Sequence, residues 1–184
     1  MVKKLIGNVC YLSPVDDTHV ERVAEWSNDL ELSLLTGDIS DMVTVGQQRQ
    51  YLESMSNPGR YGFYIVDITN DEVIGIVRLT RINFINRTAV AGIFIGGATN
   101  RGKGIGTEAI NLLLDFGFNA LNLHNIMAEV FSFNAASLRT FEKCGFKEIG
   151  RRRNAVRYGS HIFDEVFLDI LASEFKGLII TKNL

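Results

Sequence analysis

The chain has 184 residues, 46% apolar and 22% charged, with a net charge of −2. That suits one soluble domain with a real core and excludes a general attraction to nucleic acid or to an anionic membrane surface. Cys10 and Cys144 lie far apart, which excludes a disulfide framework or a metal-ligand spacing and fits a reducing cytoplasm. No apolar run approaches the roughly 18–20 residues needed to span a bilayer. The opening MVKKLIGNVCYLSP lacks a long apolar stretch and a small-residue cleavage site, so neither secretion nor membrane insertion is expected. The basic run Arg151–Arg153 reads as a solvated strand end.

In chain order, Val9 to Leu12 is a short apolar strand closed by Ser13-Pro14. Asp16 or Asp17 can cap a helix to about Asn28, and Leu30 to Leu35 can form a second short helical piece. Thr44 with Gln47 has the capping-box spacing and opens a helix to about Met55, stopped by Ser56-Asn57-Pro58-Gly59. Residues 62–68, 73–81 and 88–95 read as a three-stranded meander, with Val77, Leu79 and Arg81 on one face and Arg78 and Thr80 on the other. Lys103 to about Asn119 has helical apolar spacing; Asn125 to Phe131 reads as a strand. Asn134 then caps a helix stopped by Gly145. Strands over 146–150 and 161–170, with a turn at 157–159, complete an α/β (α+β) domain over residues 9–172, with 173–184 as a tail.

The segment AVAGIFIGGATNRGKGIGTE, residues 89–108, runs from strand through a glycine-rich loop into helix. Such a loop brings backbone N–H groups and a helix N-terminus to bear on an anion. A P-loop would need Ser or Thr after Lys103, where Gly104 stands. A dinucleotide fingerprint beginning at Gly102 and Gly104 fails at Thr107. Asp115-Phe116-Gly117 falls within a helical pattern and is no kinase motif. The third pattern uses more of the chain. Arg101-Gly102-Lys103-Gly104-Ile105-Gly106 fits R/Q-x-x-G-x-G/A, and Asn134-Ala135-Ala136-Ser137 opens a helix that ends Lys143-Cys144-Gly145-Phe146.

These motifs, with Glu25-Trp26-Ser27-Asn28-Asp29 and Gly159…Asp164-Glu165, resemble the GCN5-related N-acetyltransferase (GNAT) superfamily over nearly the whole chain. Within it the chain is most similar to the ribosomal-protein N-terminal acetyltransferases, the RimJ/RimL-like group. The resemblance implies a mixed, mostly antiparallel sheet of about seven strands with a splayed parallel pair. It implies an acetyl-CoA site formed by Phe94, Ile95, Arg101, Gly102, Lys103, Gly104, Ile105, Gly106, Thr107, Asn134, Ser137 and Phe141, and no metal. Direct attack of an amine on the thioester then follows, with backbone N–H groups near Phe94 and Ile95 stabilising the oxyanion.

Many superfamily members place a tyrosine acid seven residues after the asparagine; here that position is Phe141, so Ser137 is the candidate for polarising the sulfur. Glu129, His161 and Glu165 are candidate bases. Trp26, Asn28, Arg78 and Tyr158 are candidates for binding the acceptor. Cys144 reads as a small buried residue and His124 as incidental. Acidic residues Asp29, Glu31, Asp38 and Asp41 are balanced by Arg78, Arg81, Arg151–Arg153 and Arg157, which disfavours a polyamine. The expected acceptor is a protein or peptide N-terminal α-amine. The alternatives are a small amine (polyamine, amino sugar or antibiotic) and a non-catalytic CoA-binding sensor. The expected setting is cytoplasmic, without nucleic-acid or membrane partners, and compatible with a homodimer.

Overall fold

The computed structural model describes residues 1–55, 59–97, 100 and 102–177. Eight strands form one sheet: β1 (Leu5–Ile6), β2 (Cys10–Pro14), β3 (Tyr61–Asp67), β4 (Val73–Asn83), β5 (Thr88–Ile95), β6 (Asn125–Phe131), β7 (Lys147–Tyr158) and β8 (His161–Leu171). Their order is β1-β2-β3-β4-β5-β6-β8-β7, antiparallel except for the parallel β5–β6 pair. The helices are α1 (Val20–Ser27), α2 (Leu30–Thr36), α3 (Val45–Ser54), α4 (Ile105–Asp115) and α5 (Ala135–Lys143).

The two sheet faces carry separate cores. Tyr11, Tyr64, Val66, Val73 and Ile76 pack on Val20 and Val23 of α1 and Leu52 of α3. The opposite face, with Leu12, Ile65, Val77, Leu79, Ile126 and Ala128, is covered by α4 through Ile105, Ala109, Ile110, Leu112 and Leu113 and by Phe141 of α5.

Several details depart from the sequence expectations. The N-terminal strand is a hairpin of two, because residues 5–6 pair back onto Tyr11 and Leu12. Neither Asp16 nor Asp17 caps α1: His19 holds the cap position without a side-chain bond, and Asp16 instead accepts the Thr18 N–H. The Thr44–Gln47 capping box forms as expected. The α4 helix starts at Ile105 and continues as a π-helical turn over Phe116–Ala120.

Arg81 was expected to face away from Arg78 and Thr80. It has φ 49° at a register shift in β4, between Thr80 and Asn83. This bulge breaks the two-residue alternation and brings Arg81 to the same cleft as Arg78 and Thr80. Strand β7 is far longer than the expected 146–150, because its polar second half pairs with β8 up to Tyr158↔His161. Beyond residue 172 the chain is still attached: Glu174 accepts the Leu171 N–H and pairs with Lys147, and Phe175 packs on Phe118. The expected helix stop at residues 56–58 lies outside the described residues.

Candidate active site

Strands β5 and β6 pair only at Thr88↔Asn125, Ala89↔Ile126 and Val90↔Met127, after which they diverge. The Gly96 N–H donates to Ile74 O on β4 at 2.8 Å. By the two-residue alternation of a strand, Phe94 also addresses β4, while the N–H groups of Ile93 and Ile95 face the gap. Of the two expected backbone donors, Ile95 therefore points into the cleft, whereas Phe94 contributes its ring.

The gap opens into a cleft of about 470 Å³ lined by Gly92–Ile95, Gly102, Gly104, Gly106 and Thr107, with Asn134, Ser137, Thr140 and Phe141 opposite. Gly102 and Gly104 have φ +79° and +81°, and a Cβ at either would meet nothing within 4 Å. Their requirement is for left-handed backbone, not for space. Gly104 caps α4, and Glu108 is the first residue whose N–H closes a helical bond, to Gly104 O. The N–H groups of Ile105, Gly106 and Thr107 have no partner among the described residues and lie at the positive end of an 11-residue helix, an anion-binding arrangement. Lys103 is exposed beside it. Arg101, also expected here, lies outside the described residues.

The helix end is fixed from behind. The Glu108 carboxylate accepts backbone N–H bonds from Asn8, Val9 and Cys10 at 2.6, 2.7 and 2.8 Å, tying the β1–β2 turn to α4. Burial works against its ionisation, yet these bonds prevail and hold it below the usual glutamate range. Burial pushes the Cys144 thiol up to about 12, and its Sγ lies 3.4 Å from Thr107 O, as fits a packed residue and not a nucleophile.

Asn134 Oδ1 accepts the Ser137 N–H at 3.1 Å, the N-cap of α5, and its Nδ2 reaches Leu35 O on α2 at 3.5 Å. Tyr158 donates to the neighbouring Leu34 O at 3.2 Å. Two C-terminal carbonyls of α2 are so held by the opposite half of the domain. Tyr158 and Asn28 both lie outside the two cavities' linings; the Asn28 amide bridges Ala24 O and Val43 O and accepts the Val43 N–H. Phe141 is 2% exposed and edge-on to Phe146, with a ring centroid separation of 4.9 Å.

A second cavity, of about 630 Å³, lies between α1, α2 and α3. Leu32, Thr36, Arg78 and Phe94 line both cavities and form their junction. Trp26 lines the second cavity, T-shaped on Phe94 and pressed against the Gly96 backbone, where a Cβ would lie 2.1 Å from Cε2. Arg78 Nη1 donates to Tyr51 Oη at 2.7 Å. Asp38 and Asp41, weighed in the sequence as groups for a cationic acceptor, line this cavity, as do Gln48 and Tyr51, for which no acceptor-binding role was expected. For Gln48 and Tyr51 the available signal was helical spacing: with Leu52 and Met55 they share one face of α3, where a glutamine is out of place unless used.

Of the candidate bases, Glu129 on β6 and Glu165 on β8 line the first cleft. Glu129 is ion-paired with Arg81, and Glu165 lies 3.6 Å from Arg152. His161 sits at the exposed β7–β8 turn, stacked on Phe163, and lines neither cavity.

Comparison with known proteins bears on this arrangement of splayed strand pair, glycine-capped helix end and adjoining cavity. The acetyltransferase (GNAT) domain family matches residues 10–147. A probable N-acetyltransferase of Bacillus subtilis, YjcK, is 34% identical over 177 residues, 91% of this chain and 96% of that protein. The spermidine N(1)-acetyltransferase of Vibrio cholerae is 32% identical over 120 residues, 65% of this chain and 63% of that one. The crystal structure of spermidine N-acetyltransferase from Vibrio cholerae, with CoA and spermine, superposes with a TM-score of 0.82 at 24% identity, covering 91% of this chain and 98% of that one. These relatives do not reproduce the expected ribosomal-protein group. With cleft, helix end and sequence in agreement, the chain belongs to the GNAT family of acetyltransferases, enzymes that use acetyl-CoA as co-substrate.

Proposed function

We propose that this enzyme acetylates a small primary amine held in the α1–α2–α3 cavity, in place of the peptide α-amine expected from sequence. The observation that carries this reading is the junction: a cavity of about 630 Å³ meets the cofactor cleft at Leu32, Thr36, Arg78 and Phe94. That volume lies within the range of about 300–1,000 Å³ typical of small-molecule sites. The polyamine acetyltransferase among its relatives supports the same acceptor class.

Acetyl-CoA supplies an activated acyl group on a thiol leaving group. The chain's own residues do the rest. The N–H groups of Ile105, Gly106 and Thr107, unpartnered among the described residues, suit the pyrophosphate together with Lys103. The gap-facing edge of β5 suits the amides of the pantetheine arm, as an added strand would. At its end, the Ile95 N–H is placed to stabilise negative charge developing on the thioester oxygen. Ser137 polarises the sulfur. Phe141 brings no hydroxyl, and a thiol with pKa near roughly 8.5 departs without a strong acid. Glu129, ion-paired with Arg81, and Glu165, beside Arg152, take the amine proton through water.

The test is acetyl-CoA turnover, read as free thiol, against small amines and N-terminal peptides. Small amines should be acetylated with the higher kcat/KM. Turnover confined to peptides would restore the protein acceptor, and CoA binding without any turnover would indicate a sensor.

A further inference from the structure

Three polar groups at the acceptor cavity have unused capacity of one kind. Gln48 is 3% exposed; its Oε1 accepts from Ser27 Oγ at 3.1 Å, while its Nε2 has no partner among the described residues. Tyr51 Oη already accepts from Arg78, so its own O–H is left to donate. Burial raises its pKa, against the pull of Arg78, and keeps it a neutral donor. Arg78 is half-buried, with no carboxylate within salt-bridge distance among the described residues, and its remaining N–H groups stay available.

All three are donors. An ammonium group is also only a donor, so a polyamine satisfies none of them. Buried donors almost always find an acceptor, and one left unmet is destabilising. A carboxylate meets the need: two oxygens with about four acceptor sites, and the charge that a half-buried guanidinium lacks. Asp38 and Asp41, exposed at the same cavity, have the sign to attract the ammonium end. The two acidic residues and the donor group therefore favour a zwitterion over a polycation.

We infer that Gln48, Tyr51 and Arg78 form a carboxylate-binding site in the acceptor cavity, so that the amine acetylated is a small amino acid or amino-acid-like molecule. This rests on the small-amine reading above. Arg78 spans cavity and junction, holding the carboxylate to one side while the amine reaches toward Ile95.

The experiment compares three acceptors of equal length: an ω-amino acid, its carboxamide and the corresponding diamine. The chain's single tryptophan, Trp26, lines the cavity, so its fluorescence reports binding without turnover. The amino acid should bind and react with a Kd and KM at least ten-fold lower than the diamine, with the carboxamide between. Gln48→Glu replaces a donor by a second carboxylate. It should reverse the order, weakening the amino acid at least ten-fold and improving the diamine, with CoA affinity and Tm confirming the fold. Preference for the diamine in the unmodified enzyme, or unchanged discrimination in Gln48→Glu, overturns the carboxylate site and leaves the small-amine reading standing. If no small amine reacts and a peptide does, both fall.

Discussion

Glu108 holds the glycine loop proposed to bind the cofactor without lining the cleft beside it, and its removal should show how much the loop depends on support from behind. The carboxylate takes three backbone N–H groups of the β1–β2 turn at 2.6–2.8 Å. Bonds to a charged acceptor contribute about 1.5–3 kcal/mol where water is excluded. Two of the three are exposed, and their N–H groups can turn to water; the third, from Cys10, is part-buried. Allowing about 0.5 kcal/mol for each exposed bond and about 1–2 for the third gives about 2–3 kcal/mol for Glu108→Ala. In a domain of this size that lowers Tm by about 4–12 °C, and Glu108→Gln, which keeps one acceptor oxygen, by about half as much.

The carboxyl's folded pKa is depressed, so its contribution is present above the unfolded glutamate value near 4.3 and is lost as pH falls through the lower folded value. Thermal scans from pH 8 downward should therefore show a constant gap between Glu108→Gln and the parent enzyme that closes below about pH 4. CoA affinity, measured at a temperature where both are folded, should change less than three-fold. An unchanged Tm at neutral pH, or a gap indifferent to acid, would refute the reasoning.

Substitutions at three further positions probe the site. Gly104→Val forces a β-branched residue to φ +81° and should abolish CoA binding by calorimetry at a stability cost of about 1–2 kcal/mol, while Gly104→Asn, which tolerates that backbone, should bind within ten-fold. Gly96→Ala drives a methyl into the Trp26 indole; it should shift the tryptophan emission, raise the acceptor KM and destabilise by about 1–3 kcal/mol in denaturant titrations. Asn134→Ala removes the α5 cap and the α2 tether, and should cost about 1 kcal/mol together with a raised KM for both substrates.

The parts of the site written in local backbone demands were legible in the sequence. Gly102 and Gly104 announce a left-handed loop before a helix, Asn134 announces a cap, and the Thr44–Gln47 box forms as spelled. Features set by distant partners were not. The bulge that turns Arg81 into the cleft arises from β4–β5 register, and Arg81 then pairs with Glu129, 48 residues away. Asn28 and Tyr158 looked free to bind an acceptor because nothing local shows that Val43 and Leu34 claim their polar atoms. Helical spacing places Gln48 on the inner face of α3, but does not show that Ser27 of α1 takes one end of its amide and leaves the other without a partner among the described residues.

The parting of β5 from β6 also bears on how such a protein can change. The recognition proposed along that edge uses main-chain N–H and C=O groups, of which every residue but proline carries the same pair. Exchanging Ile93 or Ile95 for another branched residue alters the packing behind the strand but not the row of donors and acceptors it presents. The donor half of the reaction is thereby shielded from most substitutions. The cavity proposed to hold the acceptor, lined by the side chains of Trp26, Gln48, Tyr51 and Arg78, has no such protection, so on that reading a single exchange there should redirect the enzyme to a new amine while its hold on the acyl carrier stays intact.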